Sequence, residues 1–182
     1  MNKVIPILFL DDKEVHRDYE IVLDKAGQHI EVLVLALLGK NGWAFSNLTI
    51  HHKAANTSSR TIGRAVLTGN GFFKLGGVIR VDPGCNGVKA ELKERALLLS
   101  DQAKVEATPS MEVLTNEVKV SHGASVSRLS DEELFYLRSR GIDEQEATKL
   151  LTSGFIEEVI GKLNKQQRLK ARLKLDTLLS SL

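Results

Sequence analysis

The stretch from Ile30 to Val126 never sustains a helical period. It breaks instead into short β-type runs, and that one property excludes most folds for this chain. The runs are IEVLVLALL, WAFSNLTIHH, TIGRAVLTG, GFFKLGGVIRV, RALLLSD, MEVL and EVKVSHGASV. Gly39, Asn41-Gly42, Gly69-Asn70-Gly71, Gly76-Gly77, Pro83-Gly84, Asn86-Gly87 and Pro109 punctuate them as turn residues. Many short strands at short spacing mean an all-β core. Several runs are apolar almost without a break and some spacers are long and irregular, unlike the even alternation of sandwich or barrel strands. The coils of a parallel β-helix fit better, because each stacks on its neighbours and piles apolar side chains inside a tube. The expectation is a parallel β-helix over residues 1–128, built from coils of two or three short strands without a strict internal repeat.

After Val126 the pattern changes to helical. Ser130 stands three residues before Glu133, the spacing of a capping box. Leu134, Phe135 and Leu137 supply an apolar face and Gly141 a stop. Asp143 and Glu146 repeat the arrangement for a second short helix, with Leu150 and Leu151 on its buried side and Gly154 after it. Phe155, Ile156, Val159, Ile160 and Leu163 begin a third, and Leu169, Leu173, Leu175, Leu178, Leu179 and Leu182 continue an apolar stripe. A solenoid has an open end that must be covered. Residues 129–182 are therefore expected to cap it, and their last stripe to serve a partner.

Bulk properties narrow the function. The chain has 182 residues, 42% hydrophobic and 26% charged, with a net charge of +2. No field over the whole molecule calls for nucleic acid. Lys162, Lys165, Arg168, Lys170, Arg172 and Lys174 follow one another without an intervening acid. They read as a solvated helix face, since the aromatic residues of a stacking platform are missing. Cys85 is the only cysteine, so no internal disulfide forms, which fits a reducing cytoplasm. The apolar run from Met1 to Leu10 is too short to span a membrane and ends at Asp11 and Asp12. Neither export nor a membrane anchor is expected. No nucleophile with a base, no paired carboxylates and no Gly-Lys-Ser/Thr phosphate loop stand out, so the chain does not read as an enzyme.

One segment poses a specific question. In VKVSHGASV, Val118, Val120, His122, Ala124 and Val126 share one face if the chain is extended. A lone histidine on such a face is usually a core residue satisfied by its neighbours. Its neutral imidazole is also a good ligand for iron and other transition metals.

The segments LLLSD, P-x-x-E, VKVSHGA and FYLRSRGI, in this order and spacing, resemble the C-terminal part of the SufB/SufD family of iron–sulfur cluster assembly proteins. The SHGA form is similar to the SufD side. A weaker likeness runs upstream through HHKAANTSSRT and GVIRVDPGC, so it covers about residues 50–160, and the first 40 or so residues match nothing. The resemblance implies a right-handed parallel β-helix with C-terminal helices. It implies a partner ATPase of the ABC type, SufC, docked on those helices. It also implies pairing of SufB and SufD through their β-helices, with a transient iron–sulfur cluster forming between them. His122 falls on the SufD histidine. The SufB cysteine position falls on Glu94. Typical members are more than twice as long, with a domain before the β-helix. The chain therefore reads as a SufD-like scaffold lacking that domain, pairing with itself as a homodimer or with a SufB-like protein.

The remaining candidates carry two readings each. Glu94, between Lys93 and Arg95, reads first as a member of a surface ion pair and second as an iron ligand, harder than thiolate. Cys85, beside Pro83-Gly84, reads as an inert small residue, with a persulfide or cluster ligand as the alternative. His51 and His52 face opposite sides of a strand and do not easily share one ion. Phe135, Tyr136, Arg138 and Arg140 combine aromatics with arginines, as interface cores do, and are the candidate ATPase contacts. Two rival readings are a structural or regulatory β-helix that binds the ATPase without building a cluster, and a self-assembling filament.

Overall fold

The computed structural model describes residues 3–10 and 13–182; Asp11 and Asp12, which end the N-terminal apolar run, lie outside the described residues. The strands are β1 (Lys3–Phe9), β2 (Val15–Leu23), β3 (His29–Leu38), β4 (Trp43–His52), β5 (Ser58–Leu67), β6 (Phe72–Val81), β7 (Lys89–Leu98), β8 (Lys104–Ala107), β9 (Ser110–Val113) and β10 (Lys119–Arg128). Helices α1 (Asp131–Ser139), α2 (Glu144–Ile160) and α3 (Lys165–Leu179) follow.

All strand pairs are parallel. Sheet A has the order β1-β3-β5-β7-β10; β2, β4 and β6 form sheet B, and β8 and β9 both continue it on β6. The chain alternates between the sheets and makes a β-solenoid of about four turns. Two expectations change. The coils hold two strands, mostly of ten residues, rather than two or three short ones. The first coil consists of β1 and β2. A repeat also exists: Val15 pairs with Ala44 and Ala44 with Phe73, and Asn47 bonds Asp18 across the same 29-residue step. It is hidden in the sequence because a valine, an alanine and a phenylalanine fill one inward position.

The difference between continuous and alternating runs has a physical cause. In β6 burial alternates strictly, whereas β3 is buried along nearly its whole length. A sheet wet on one face needs apolar residues at every second position; one covered on both faces needs them throughout. Sheet A is covered on both. Its inward residues join the core with Phe9, Leu23, Leu48 and Phe73. Its outward residues Leu33, Leu35, Leu37, Ile62 and Val66 pack under Ile156, Val159, Ile160, Leu175 and Leu178 of α2 and α3.

This placement corrects the helical expectations. α2 and α3 lie on the flank of sheet A, against β3 and β5, not across the open end of the solenoid. Gly154 does not stop a helix: α2 runs through it from Glu144 to Ile160. Burial of Ala147, Ile156, Val159 and Ile160 outweighs a glycine cost of about 1 kcal/mol. Leu150 is exposed and Leu151 only half-buried, so neither forms the buried side. α3 starts instead at a capping box in which Asn164 and Gln167 bond each other's backbone amides. Of the terminal leucine stripe, Leu175, Leu178 and Leu179 are buried, while Leu169, Leu173 and Leu182 are exposed.

A surface at the open end of the solenoid

β10 is the last strand of sheet A and has one neighbour, β7. Its register sets Val120 beside Ala90, His122 beside Leu92, Ala124 beside Glu94 and Val126 beside Ala96. These four partners on β7 are buried, so the β10 residues above them continue the inward-facing side. The shared face is therefore as expected. The packing is not: His122, Ala124 and Val126 are exposed and Val120 is half-buried. Sheet B ends in the short strands β8 and β9, so no full strand stands opposite β10. Exposed Met111 and Leu114 border the same end. The imidazole of His122 is thus presented on an edge strand, not held in a core.

Beneath Ala124 lies Glu94, and it contradicts the surface ion-pair reading. Its side chain points inward from β7 and is 4% exposed. Neither carboxyl oxygen has a hydrogen-bond partner. Lys93 and Arg95 point outward from the same strand; Lys93 pairs with Glu91, and Arg95 lies over the Phe155 ring. Strand alternation separates a residue from its sequence neighbours, which is why the flanking cations gave no information. Burial pushes the Glu94 carboxyl up to about 8, so it is largely neutral at pH 7.

Two glycines make room for this side chain. Gly63 is its register partner on β5, where a Cβ would lie 3.3 Å from Glu94 Cγ. Gly77 faces it from sheet B, where a Cβ would lie 2.9 Å from Glu94 Oε1 and 2.7 Å from Leu92 Cδ1. Gly76-Gly77, read as a turn, is the middle of β6. The ladder beyond it is interrupted there: β8 pairs up to Leu75, β9 pairs from Val78, and Thr108-Pro109 lies between. Proline has no amide to donate to a ladder. The sequence signal for this niche was a glycine pair inside an alternating run.

The other candidates are engaged elsewhere. His52 faces the interior, with Nδ1 2.7 Å from Thr57 Oγ1 and Nε2 2.9 Å from Ser59 Oγ. Thr57 already donates to Ala54 O, so His52 Nδ1 donates to Thr57 and Nε2 accepts from Ser59. Burial, aided by His51, lowers His52 to about 4 and keeps it neutral. His51 faces outward between Glu20 and Asp82, at 3.3 and 2.8 Å. The two rings therefore do occupy opposite faces. Cys85 is buried beside the turn at Asp82, and burial raises its thiol. It sits among Ile79, Val88 and Leu92, as an inert apolar residue does. Among the described residues no group of three His, Cys, Asp or Glu could hold a metal.

β10 runs into α1 through Leu129 and Ser130, and Ser130 accepts from the Glu133 amide as the cap. α1 buries none of its residues. Phe135 is 74% exposed and Tyr136 57%; Arg140 stacks 5.3 Å over the Tyr136 ring, and Arg138 pairs with Glu144 at 3.2 Å. Phe135 does not pack the helix onto the solenoid. An aromatic of that size in water on a helix without a core is surplus to folding.

A family model of SUF-system iron–sulfur cluster assembly, the SufBD core domain, matches residues 7–155. The chain belongs to the SufBD family. The match starts inside β1, which extends the resemblance well upstream of residue 50. Iron–sulfur cluster assembly SufBD family proteins of Mycobacterium bovis and Mycobacterium leprae are each 32% identical over 139 residues, covering 75% of this chain and 16% of their own length. A Staphylococcus aureus protein of the same description is 32% identical over 136 residues, covering 75% of this chain and 29% of its own. This SufBD chain thus spans less than a third of the length of these curated relatives. No helix among the described residues is long and apolar enough to cross a membrane.

Proposed function

We propose that this SufBD chain is a non-catalytic, SufD-like scaffold of an iron–sulfur cluster assembly complex, working with a SufC-like ATPase of the ABC type. The observation that carries the reading is the direct join between an edge strand presenting His122 and a helix presenting Phe135, Tyr136, Arg138 and Arg140 to solvent. The ATPase docks on α1, where an exposed aromatic and arginine cluster has the composition of an interface core. The edge of β10 pairs with a second copy or with a SufB-like protein, since an unpaired parallel edge is a template for another strand. The nascent cluster, as substrate, meets His122 at that junction. Two residues separate β10 from α1, so a nucleotide-driven shift of the helix reaches His122 without an intervening flexible segment.

A second reading has its own support. Cys85 is buried and far from thiolate character, so this chain supplies no accessible thiolate. It would then bind the ATPase as a regulatory or structural subunit and leave cluster building to a partner.

Affinity co-purification with a SufC-like ATPase from the same genome tests the shared part of both readings. Wild-type protein retains the ATPase, and Phe135→Ala with Arg138→Ala loses it. Unchanged retention by the double variant moves the interface off α1 and removes the support for this reading.

A further inference from the structure

The two ends of the solenoid are not alike. At the β10 end, Val126 and Met111 continue inward columns one step beyond Ala96 and Ile79, yet they are 48% and 42% exposed. At the β1–β2 end, Ile7 and Phe9 end inward columns of the same kind and are 3% exposed. Among the described residues β1 pairs only with β3 and β2 only with β4, so this rung too has no strand beyond it. Arg17 is what closes it. Its position continues the inward column of Ser46, Leu75 and Ala107. The guanidinium folds across the end of the tube, 5.5 Å from the centre of the Phe9 ring, and donates to Leu8 O at 3.3 Å. That carbonyl belongs to edge strand β1, so the contact takes up an acceptor that an added strand would use. Pro6 removes a donor from the same edge. It lies two residues from Leu8, so the main-chain groups of both face one side, and proline has no N–H. β10 has no proline, and no charged residue among Val120, His122, Ala124 and Val126 blocks its inward side by a hydrogen bond to the edge.

Without these two residues the fold would invite stacking. The coils repeat in register, so a second copy set head to tail would place His122, Ala124 and Val126 over Ile5, Ile7 and Phe9. Two ends of matching cross-section make a contact that does not close on itself and grows into a filament. Arg17 would then be trapped against Ala107 of the next copy, with no carboxylate in its column. Burying an unpaired guanidinium costs more than the surrounding apolar contacts return. We infer that Arg17, helped by Pro6, seals the N-terminal rung against strand addition, so that a second copy of this chain cannot extend the solenoid there. The seal acts whatever occupies the β10 edge, and it does not rest on the scaffold reading. It blocks the filament at one end of every chain.

The test is light scattering on the full chain from micromolar to millimolar concentration, with electron microscopy of the concentrated samples and circular dichroism to confirm folding. Wild-type protein keeps the mass of one or two chains throughout. Arg17→Leu with Pro6→Val, which leaves an apolar stem over Phe9 and restores the edge donor, grows several-fold in mass with concentration and forms unbranched filaments. Arg17→Lys with Pro6→Val returns an inward charge and keeps the wild-type mass. Arg17→Leu alone is the milder variant, to be read if the double variant does not fold, and it too grows. A folded Arg17→Leu protein, single or double, that holds the wild-type mass over the whole range overturns the inference. So does equal growth of the Arg17→Lys protein, because the charge would then not be the seal.

Discussion

Gly77 of β6 faces Glu94 of β7 across the solenoid interior so closely that any Cβ at position 77 would lie 2.9 Å from Glu94 Oε1. The same atom would lie 2.7 Å from Cδ1 of Leu92, which is fully buried and has no space to retreat. Gly77→Ala is expected to lower stability by about 1–3 kcal/mol, the usual range for overpacking. Gly123→Ala on β10 is the control, since nothing lies within 4 Å of its Cβ position. Urea denaturation of the two variants checks this. Equal midpoints would mean that the interior around Glu94 is loose.

Two buried titratable groups, Glu94 and His52, give opposing contributions to the pH profile. Glu94 is raised from 4.5 to about 8, so its contribution is complete below 4.5 and is lost as pH rises toward 8. His52 is lowered from 6.5 to about 4, so its contribution is complete above 6.5 and is lost as pH falls toward 4. Between 4.5 and 6.5 the two slopes oppose and largely cancel. Above 6.5 only Glu94 remains, and stability falls by up to about 1.4 kcal/mol per pH unit. Glu94→Gln should flatten this decline and uncover the His52 slope between 4.5 and 6.5, where stability then falls as pH falls. A wild-type decline that persists in Glu94→Gln would place its origin elsewhere.

The clasp between sheet A and α2 is polar at Glu158, which pairs with both Arg60 and Arg64 of β5. Arg64 is 7% exposed, pairs with Glu158 of α2, and stacks 5.6 Å over Phe155. Burial lowers the Arg64 guanidinium, Glu158 opposes that, and Arg95 adds to it. Glu158→Ala strands a buried cation and should cost about 1–3 kcal/mol, less than a fully buried pair because Glu158 is itself 41% exposed. Thermal unfolding of Glu158→Ala against Arg64→Met separates the two effects: removing the buried cation, with Glu158 still paired to Arg60, should be the milder change. A loss from Glu158→Ala below about 0.5 kcal/mol would class the pair with ordinary surface bridges.

The solenoid and its helical tail were legible because the relevant signals are local. Short β runs, the Ser130 and Asp143 caps and the switch of texture after Val126 all depend on near neighbours in sequence. The parts that were not legible depend on what comes to lie opposite. Whether Glu94 is outside or inside is decided by strand phase, which Lys93 and Arg95 obscured. Whether His122 is packed is decided by the absence of a full strand across from β10. Gly76-Gly77 looked like a turn because two glycines usually are one, yet here they yield space to side chains from sheet A. Gly154 looked like a stop because nothing in α2 itself shows the sheet that α2 covers.

The account centres on His122 as a functional group presented at the open rung, and the most direct measurement is cluster formation in the reconstituted complex. Wild-type chain and His122→Ala are each combined anaerobically with the SufC-like ATPase, any SufB-like partner, iron, a sulfur donor and ATP. Cluster yield is read from the visible absorption of the re-isolated complex. Because His122 is exposed, His122→Ala should fold and retain the ATPase as wild type does, yet form markedly less cluster. A folded His122→Ala complex that builds cluster at the wild-type yield would contradict the account.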